Sequence, residues 1–368
     1  MSRRGENIFK RKDGRWEGRY KNGCKDNGKT KYSSVYAHTY SECSKKLQAV
    51  KNRQISGNNP ITVGQLFEHW LESRKNSVKQ STYMHYRILY DNHIKLRFEN
   101  MKAEAVSPFL MNRYVSELLD CGGADGNSLS ANTVQAIMII LKSLFAYGEN
   151  FHNLPNPTKL ITLPKVETNE PETFTKSEIE KLRLNGLFGD ISSLGVLLCL
   201  YTGMRIGEMC ALKWSDIDLN SQLISVNKTL QRIKNPYGDS PKTIVIIDKP
   251  KSSKSVRKIP VPTFMLMRLA ELKKHTYPDS YFLTCSMKHT EPRAFQERYK
   301  KLLRSLDIPY RNFHVLRHTF ATECISCGID VKTVSELLGH SSVKITLERY
   351  VHPSMDNKRR QLEKLYAL

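Results

Sequence analysis

The sequence predicts an α+β multidomain chain. It should hold an N-terminal basic three-stranded sheet plus helix, a helical bundle, and a mainly α domain with a small antiparallel sheet. Three observations lead there. The 368 residues exceed what one core usually organises. Apolar periodicity shifts from strand-like alternation at the start, to helical spacing in the middle, to a mixture at the end. Charge is also uneven. The chain carries 58 Lys+Arg against 36 Asp+Glu, a net charge of +22. Residues 1–57 hold 15 basic and 5 acidic side chains, residues 58–170 hold 11 of each, and residues 171–368 hold 32 and 20. Such a surplus repels itself unless a polyanion or an anionic surface screens it. Nucleic acid is the first candidate partner and a membrane surface the second.

In chain order, Ile8–Lys10 and Trp16–Tyr20 alternate large and polar residues around an Asp13-Gly14 turn signal. Lys31–Tyr36 reads as a third strand. Thr39–Gln54 reads as a helix with Cys43, Leu47 and Val50 inward. A basic sheet braced by one helix can enter a DNA major groove, which admits a β-ribbon. Residues 55–60 are polar and contain Gly and Pro, as a domain boundary does. Helices are then expected after Thr62, from Ser81, from Ser107-Pro108 through Leu118, and after a cap at Asn132. Four helices of this size make a compact bundle. Residues 164–171 read as a second linker. Beyond it come an apolar helix over 192–201 and strands over 222–230, 243–248 and 256–261, and helical patterns resume from Pro262.

No run of 18 apolar residues occurs, so no spanning helix is expected. Met1–Gly5 has no apolar stretch behind it, which does not match a secretory signal. Eight scattered Cys do not make a disulfide framework in a chain this long, so a reducing, cytoplasmic setting is expected. Cys324-x-x-Cys327 reads as two small residues on a helix rather than a zinc or redox pair.

Four stretches carry the chemistry. In Thr202–Leu212, Arg205 sits between two glycines and Glu208 lies at i+3, able to hold a guanidinium. In His314–Thr322, His314 and Arg317 share a helix face. His314 and His318 have a zinc-ligand spacing, but no Glu follows the first His. Leu337–Ser342 is a helix end with Gly339 and then His340. Thr346–His352 contains Tyr350. Taken singly, each has a structural explanation: a surface Arg, a capping His, a core Tyr.

Their order and spacing resemble the tyrosine recombinase (phage-type integrase) family: an Arg, His-x-x-Arg 109 residues on, a His 23 later, a Tyr ten after that. The resemblance covers residues 172–368, which it marks as a catalytic domain with a C-terminal tail. The layout of residues 1–57 and 58–165 is similar to the arm-type and core-binding DNA domains of integrases from Gram-positive phages and conjugative transposons. The resemblance implies that Tyr350 is the nucleophile, forming a 3′-phosphotyrosyl link and freeing a 5′-hydroxyl. Arg205 and Arg317 would clamp the phosphate oxygens, with His314 and His340 at the two His positions. A hairpin lysine would protonate the leaving oxygen. Lys251 fits best, and Lys254 is the alternative.

Two guanidiniums offer bidentate donors to phosphate, and a phenol of pKa about 10 needs a base or cationic surroundings to attack at neutral pH. The covalent link conserves bond energy, so neither ATP, metal nor other cofactor is expected. The implied partners are double-stranded DNA at core and arm sites, three further copies in a tetramer on DNA, and commonly an excisionase. A membrane is no longer needed. Residues 231–242 lengthen the connection before the lysine, as an insert or a solvated loop. Residues 351–368 are expected to pack on their own domain or on another protomer. The readings set aside are a type IB topoisomerase and a catalytically silent DNA-binding regulator.

Overall fold

The computed structural model describes residues 7–24, 30–55, 60–123, 125–166, 172–238, 240–248, 255–350, 359 and 362–363. The chain divides into two compact units, Met1–Glu167 and Thr168–Leu368.

The first unit holds two separate hydrophobic cores. The smaller belongs to strands β1 (Ile8–Lys10), β2 (Trp16–Cys24) and β3 (Thr30–Ala37), antiparallel in that order, and helix α1 (Tyr40–Ile55). Register sets Ile8 opposite Gly18 and Gly18 opposite Val35. That face meets Cys43 and Leu47 of α1, both buried, whereas Val50 is only half-buried. The opposite face aligns Phe9, Glu17 and Tyr36 across the strands.

The larger core belongs to α2 (Val63–Arg74), α3 (Gln80–Leu89), a π-turn at Tyr90–Ile94, α4 (Lys95–Phe98), α5 (Pro108–Cys121) and α6 (Ala131–His152). Thr62 caps α2 in a full capping box with Gln65, and Ser107 caps α5 with Pro108 behind it. Two caps differ from expectation. Helix α3 starts at Gln80, with Lys79 extended before it, and Ser130, not Asn132, caps α6. Ser130 wins because its hydroxyl accepts the Thr133 N–H, which leaves Asn132 inside the first turn.

The second unit is built around α8 (Ile191–Thr202), buried on nearly every side and preceded by α7 (Lys176–Phe188). Short α9 (Ile206–Ala211) follows. Strands β4 (Ile217–Asp218) and β5 (Leu223–Val226) come next, then β6 (Thr229–Lys234), β7 (Thr243–Asp248) and β8 (Arg257–Pro260). Helices α10 (Thr263–Lys273), α11 (Pro292–Ser305), α12 (His314–Ser326), α13 (Val331–Leu338) and α14 (Val343–Tyr350) complete the unit.

The single strand expected over 222–230 is instead two strands in different sheets. β5 lies between β4 and β8, and β6 pairs with β7. The chain breaks at Asn227 and Lys228, whose side chains turn to the Asp216 carboxylate. Residues 229–248 are therefore a hairpin of their own, inserted between β5 and β8. The lysine segment joins β7 to β8, and Lys251 and Lys254 lie outside the described residues. So does most of the tail after Tyr350.

Among the described residues no helix is long and apolar enough to cross a membrane. Nor do three or more His, Cys, Asp or Glu gather where a metal could sit. Cys324 is buried and Cys327 exposed, both as free thiols.

Candidate active site

The second unit brings together the α8–α9 turn, α12, β8 and the α13–α14 turn. Helix α8 stops at Gly203, which is left-handed (φ +64°), so the chain reverses before α9. Arg205 is extended and starts α9. Its backbone N–H donates to Glu208 Oε2 at 2.9 Å, and its Nη1 donates to Glu208 Oε1 at 2.9 Å. Glu208 thus fixes both ends of Arg205, as the i+3 spacing predicts.

Glu208 also accepts from Arg257 of β8, Nη1 to Oε1 at 3.0 Å and Nη2 to Oε2 at 2.9 Å. Burial alone would raise the pKa of this carboxyl. The Arg257 hydrogen bonds and charge, aided by Arg205, hold it below the ordinary carboxylate value. Arg257 reaches further, from Nε to the Leu337 carbonyl at 2.6 Å. One buried carboxylate therefore ties the α8–α9 turn to β8 and, through Arg257, to the end of α13.

Arg317 is 1% exposed. Its Nη1 donates to the Gly203 carbonyl at 2.8 Å and its Nη2 to the Leu338 carbonyl at 2.7 Å. Its buried Nε finds no partner among the described residues. Burial first, and then the Arg205 charge, push its pKa down to about 9. A guanidinium so placed keeps N–H groups for an anion, and phosphate geometry suits it.

His340 follows the left-handed Gly339 (φ +64°) that ends α13. Its Nδ1 shares a hydrogen bond with Thr346 Oγ1 at 2.8 Å. Its ring lies parallel to Tyr350, with centroids 6.4 Å apart. Burial, then Arg317 and Arg205, push its pKa down to about 3. His314 opens α12 with an exposed edge and meets the His318 ring edge-on at 4.6 Å. Desolvation, then His318 and the arginines, lower its pKa too. Both rings are neutral at pH 7.

Tyr350 ends α14 and is 6% exposed. Its Oη lies 2.8 Å from His318 Nδ1. Burial raises the phenol pKa, while Arg317, Arg349 and Arg205 pull the other way. A cleft of about 840 Å³ opens beside Arg205 and His314, lined also by Arg232 and Arg293.

Five of the six positions named from sequence, Arg205, His314, Arg317, His340 and Tyr350, meet in this region. The sixth, Lys251, is outside the described residues. Sequence reading missed Arg257 and the contact of His318 with the phenol. The signal for Arg257 was present: strand alternation puts it on the inward face with Ile259, where an Arg demands a buried carboxylate.

Residues 174–357 match the phage integrase family, and residues 62–119 match the phage integrase N-terminal SAM-like domain. A tyrosine recombinase XerC-like protein of Caldanaerobacter subterraneus subsp. tengcongensis is 31% identical, covering 94% of this chain and 94% of that protein. The integrase of Staphylococcus phage L54a is 26% identical over 86% of this chain and 97% of its own length. Among solved structures, the Tn1549 transposon integrase in complex with circular intermediate DNA shares the fold. It has a TM-score of 0.68 and 22% identity, covering 83% of this chain and 99% of that one. Fold and site together define a DNA strand-transfer enzyme with a tyrosine at its centre. The chain belongs to the phage integrase family, the tyrosine recombinases.

Proposed function

We propose that this protein integrates and excises a mobile element by site-specific DNA cleavage and rejoining through a 3′-phosphotyrosyl intermediate. The observation that supports this most directly is a buried phenol under the charges of Arg205 and Arg317, with the neutral His340 ring parallel to its own. Tyr350 Oη attacks the scissile phosphorus and the P–O5′ bond breaks. Arg205 and Arg317 bind the non-bridging oxygens, and their attraction grows as charge builds there. His314 and His340, both uncharged, donate hydrogen bonds to the same group. Lys251 protonates the departing 5′ oxygen, with Lys254 as the rival. Attack by a 5′-hydroxyl on the phosphotyrosine rejoins the strand.

Residues 1–57 serve as an arm-type DNA domain, 58–165 as the core-binding domain and 172–368 as the catalytic domain with its tail. The protein works as a tetramer on double-stranded DNA in the cytoplasm, with an excisionase where excision is favoured. A solved lambda integrase is a tetramer bound to a Holliday junction, which supports this assembly.

The test is a nicked suicide substrate made from element-end DNA. Wild-type protein should leave a covalent protein–DNA band. Tyr350→Phe should bind the DNA without forming it, and a persistent band would remove Tyr350 from its role. In the same assay Lys251→Ala should lose cleavage while Lys254→Ala keeps it.

A further inference from the structure

The geometry points to His318 as a further catalytic residue, the base that takes the phenol proton as Tyr350 attacks. This rests on the reading of Tyr350 as nucleophile. His318 stands one helical turn after His314 on α12, outside the six family positions. Yet among the described histidines it alone hydrogen-bonds the reacting oxygen, Nδ1 to Oη at 2.8 Å. His340 is stacked on the ring and has its Nδ1 engaged by Thr346. His314 faces the His318 ring rather than the phenol.

The proposed step uses this hydrogen bond with Oη as donor and Nδ1 as acceptor. Arg317, Arg349 and Arg205 place positive charge around the phenol and favour its ionised form. In the His318 tautomer that carries its hydrogen on Nε2, Nδ1 accepts from Oη and is placed to take the phenol proton. The groups facing His318 are His314 and Arg317 on its own helix and Arg349 and Tyr350 on α14. Burial first, then Arg349 and Arg317, keep the ring below its ordinary pKa, so it is neutral and free to accept at pH 7.

The step balances. Oη bonds to phosphorus as its proton passes to His318 Nδ1. The P–O5′ bond breaks, and the 5′ oxygen takes a proton from the lysine general acid. On rejoining, His318 returns its proton to the departing phenolate. Arg349 and Arg317 sit where they stabilise the phenolate character of that transition state.

Single-turnover adduct formation on the suicide substrate tests this, read across neutral and alkaline pH beside DNA affinity. Asn at position 318 keeps a hydrogen-bond acceptor but takes up no proton. His318→Asn should bind DNA as wild type does, form adduct about 10²–10⁴-fold more slowly, and recover as pH approaches the phenol range. His318→Ala should regain rate when imidazole is added. The proposal is overturned if either variant cleaves at or above the wild-type rate, because His318 then only parks the tyrosine. It is equally overturned by a loss uniform in pH without imidazole rescue, or by loss of DNA binding in both variants, since the role is then structural. Tyr350→Phe run in parallel separates the two readings. Adduct from Tyr350→Phe defeats the nucleophile assignment. A silent Tyr350→Phe with normal His318 variants defeats only this inference.

Discussion

Glu208 and Arg257 form a two-point ion pair between α9 and β8, with side chains 3% and 5% exposed. Neither end can be removed cheaply, because the other would be left charged and out of water. Arg257→Ala should destabilise the second unit by about 3–5 kcal/mol, a fall in melting temperature on the order of 10 °C for a domain of this size. It should also slow covalent-adduct formation, since Glu208 sets Arg205 and Arg257 holds the Leu337 carbonyl beside His340. Arg257→Lys should rescue only part of either loss, as an ammonium cannot make the forked contact. Calorimetry and the suicide-substrate assay read both effects, and an unchanged melting temperature would contradict the argument.

Gly203→Ala should be as damaging to cleavage as losing a phosphate ligand, though residue 203 touches no DNA in this reading. Its φ of +64° costs an L-residue about 1–3 kcal/mol when imposed. An added Cβ would stand 2.6 Å from Phe320 Cδ1 and 2.8 Å from Leu338 Cδ2. Relief of that crowding moves the carbonyl that accepts Arg317 Nη1. The expected result is a lower melting temperature together with an adduct rate that falls further than the stability loss explains. A variant that is less stable but cleaves normally would show that Arg317 does not depend on this carbonyl.

These two sites also show what the sequence made legible. Gly203 and Gly339 each follow an apolar helical run, and a chain reversal was readable from that pattern alone. Arg205 with Glu208 was readable because i and i+3 share a helix face. The Glu208–Arg257 pair joins residues 49 apart, and the His318–Tyr350 contact joins residues 32 apart. No local period encodes such distances. The split of residues 222–230 failed for a related reason. The run is rich in β-branched residues, and its break comes from Asn227 and Lys228 reaching back to Asp216, a tertiary cause that propensity does not carry.

His340 makes the second unit sensitive to acid. Its pKa is about 3 when folded, against the ordinary value near 6.5 when unfolded. Above pH 6.5 both states hold the ring neutral and there is no penalty. As pH falls below 6.5, the unfolded chain binds a proton that the folded chain refuses, so stability drops until pH nears the folded value. The slope is at most about 1.4 kcal/mol per pH unit for one histidine. Replacing His340 by Gln should flatten the fall of melting temperature with acid, while leaving stability at neutral pH lower only by the missing Thr346 hydrogen bond. An identical acid profile in His340→Gln would mean that other groups govern the loss.

The N-terminal sheet offers a prediction in which charge and organisation have opposite signs. On the face away from α1, Arg11 and Arg15 lie over the Tyr36 ring, and Arg19 lies over Phe9. Glu17, 4% exposed between them, accepts from Arg11 at 3.1 Å, Arg19 at 2.9 Å and the Ser34 hydroxyl at 2.7 Å. One acidic side chain thus pins two cations onto an aromatic platform. If DNA binding at arm sites depended on total charge, Glu17→Gln would tighten it by removing a negative unit. If it depends on the platform, freeing Arg11 and Arg19 must weaken it. We expect weakening, with Arg15→Ala and Arg19→Ala each lowering the slope of log affinity against log salt by about 0.9 for each phosphate left unneutralised. Affinity for core-site DNA lacking the arm sequence should be unchanged in all three variants. Salt titrations on the two DNAs measure this, and tighter arm binding by Glu17→Gln would show that bulk charge alone sets the affinity.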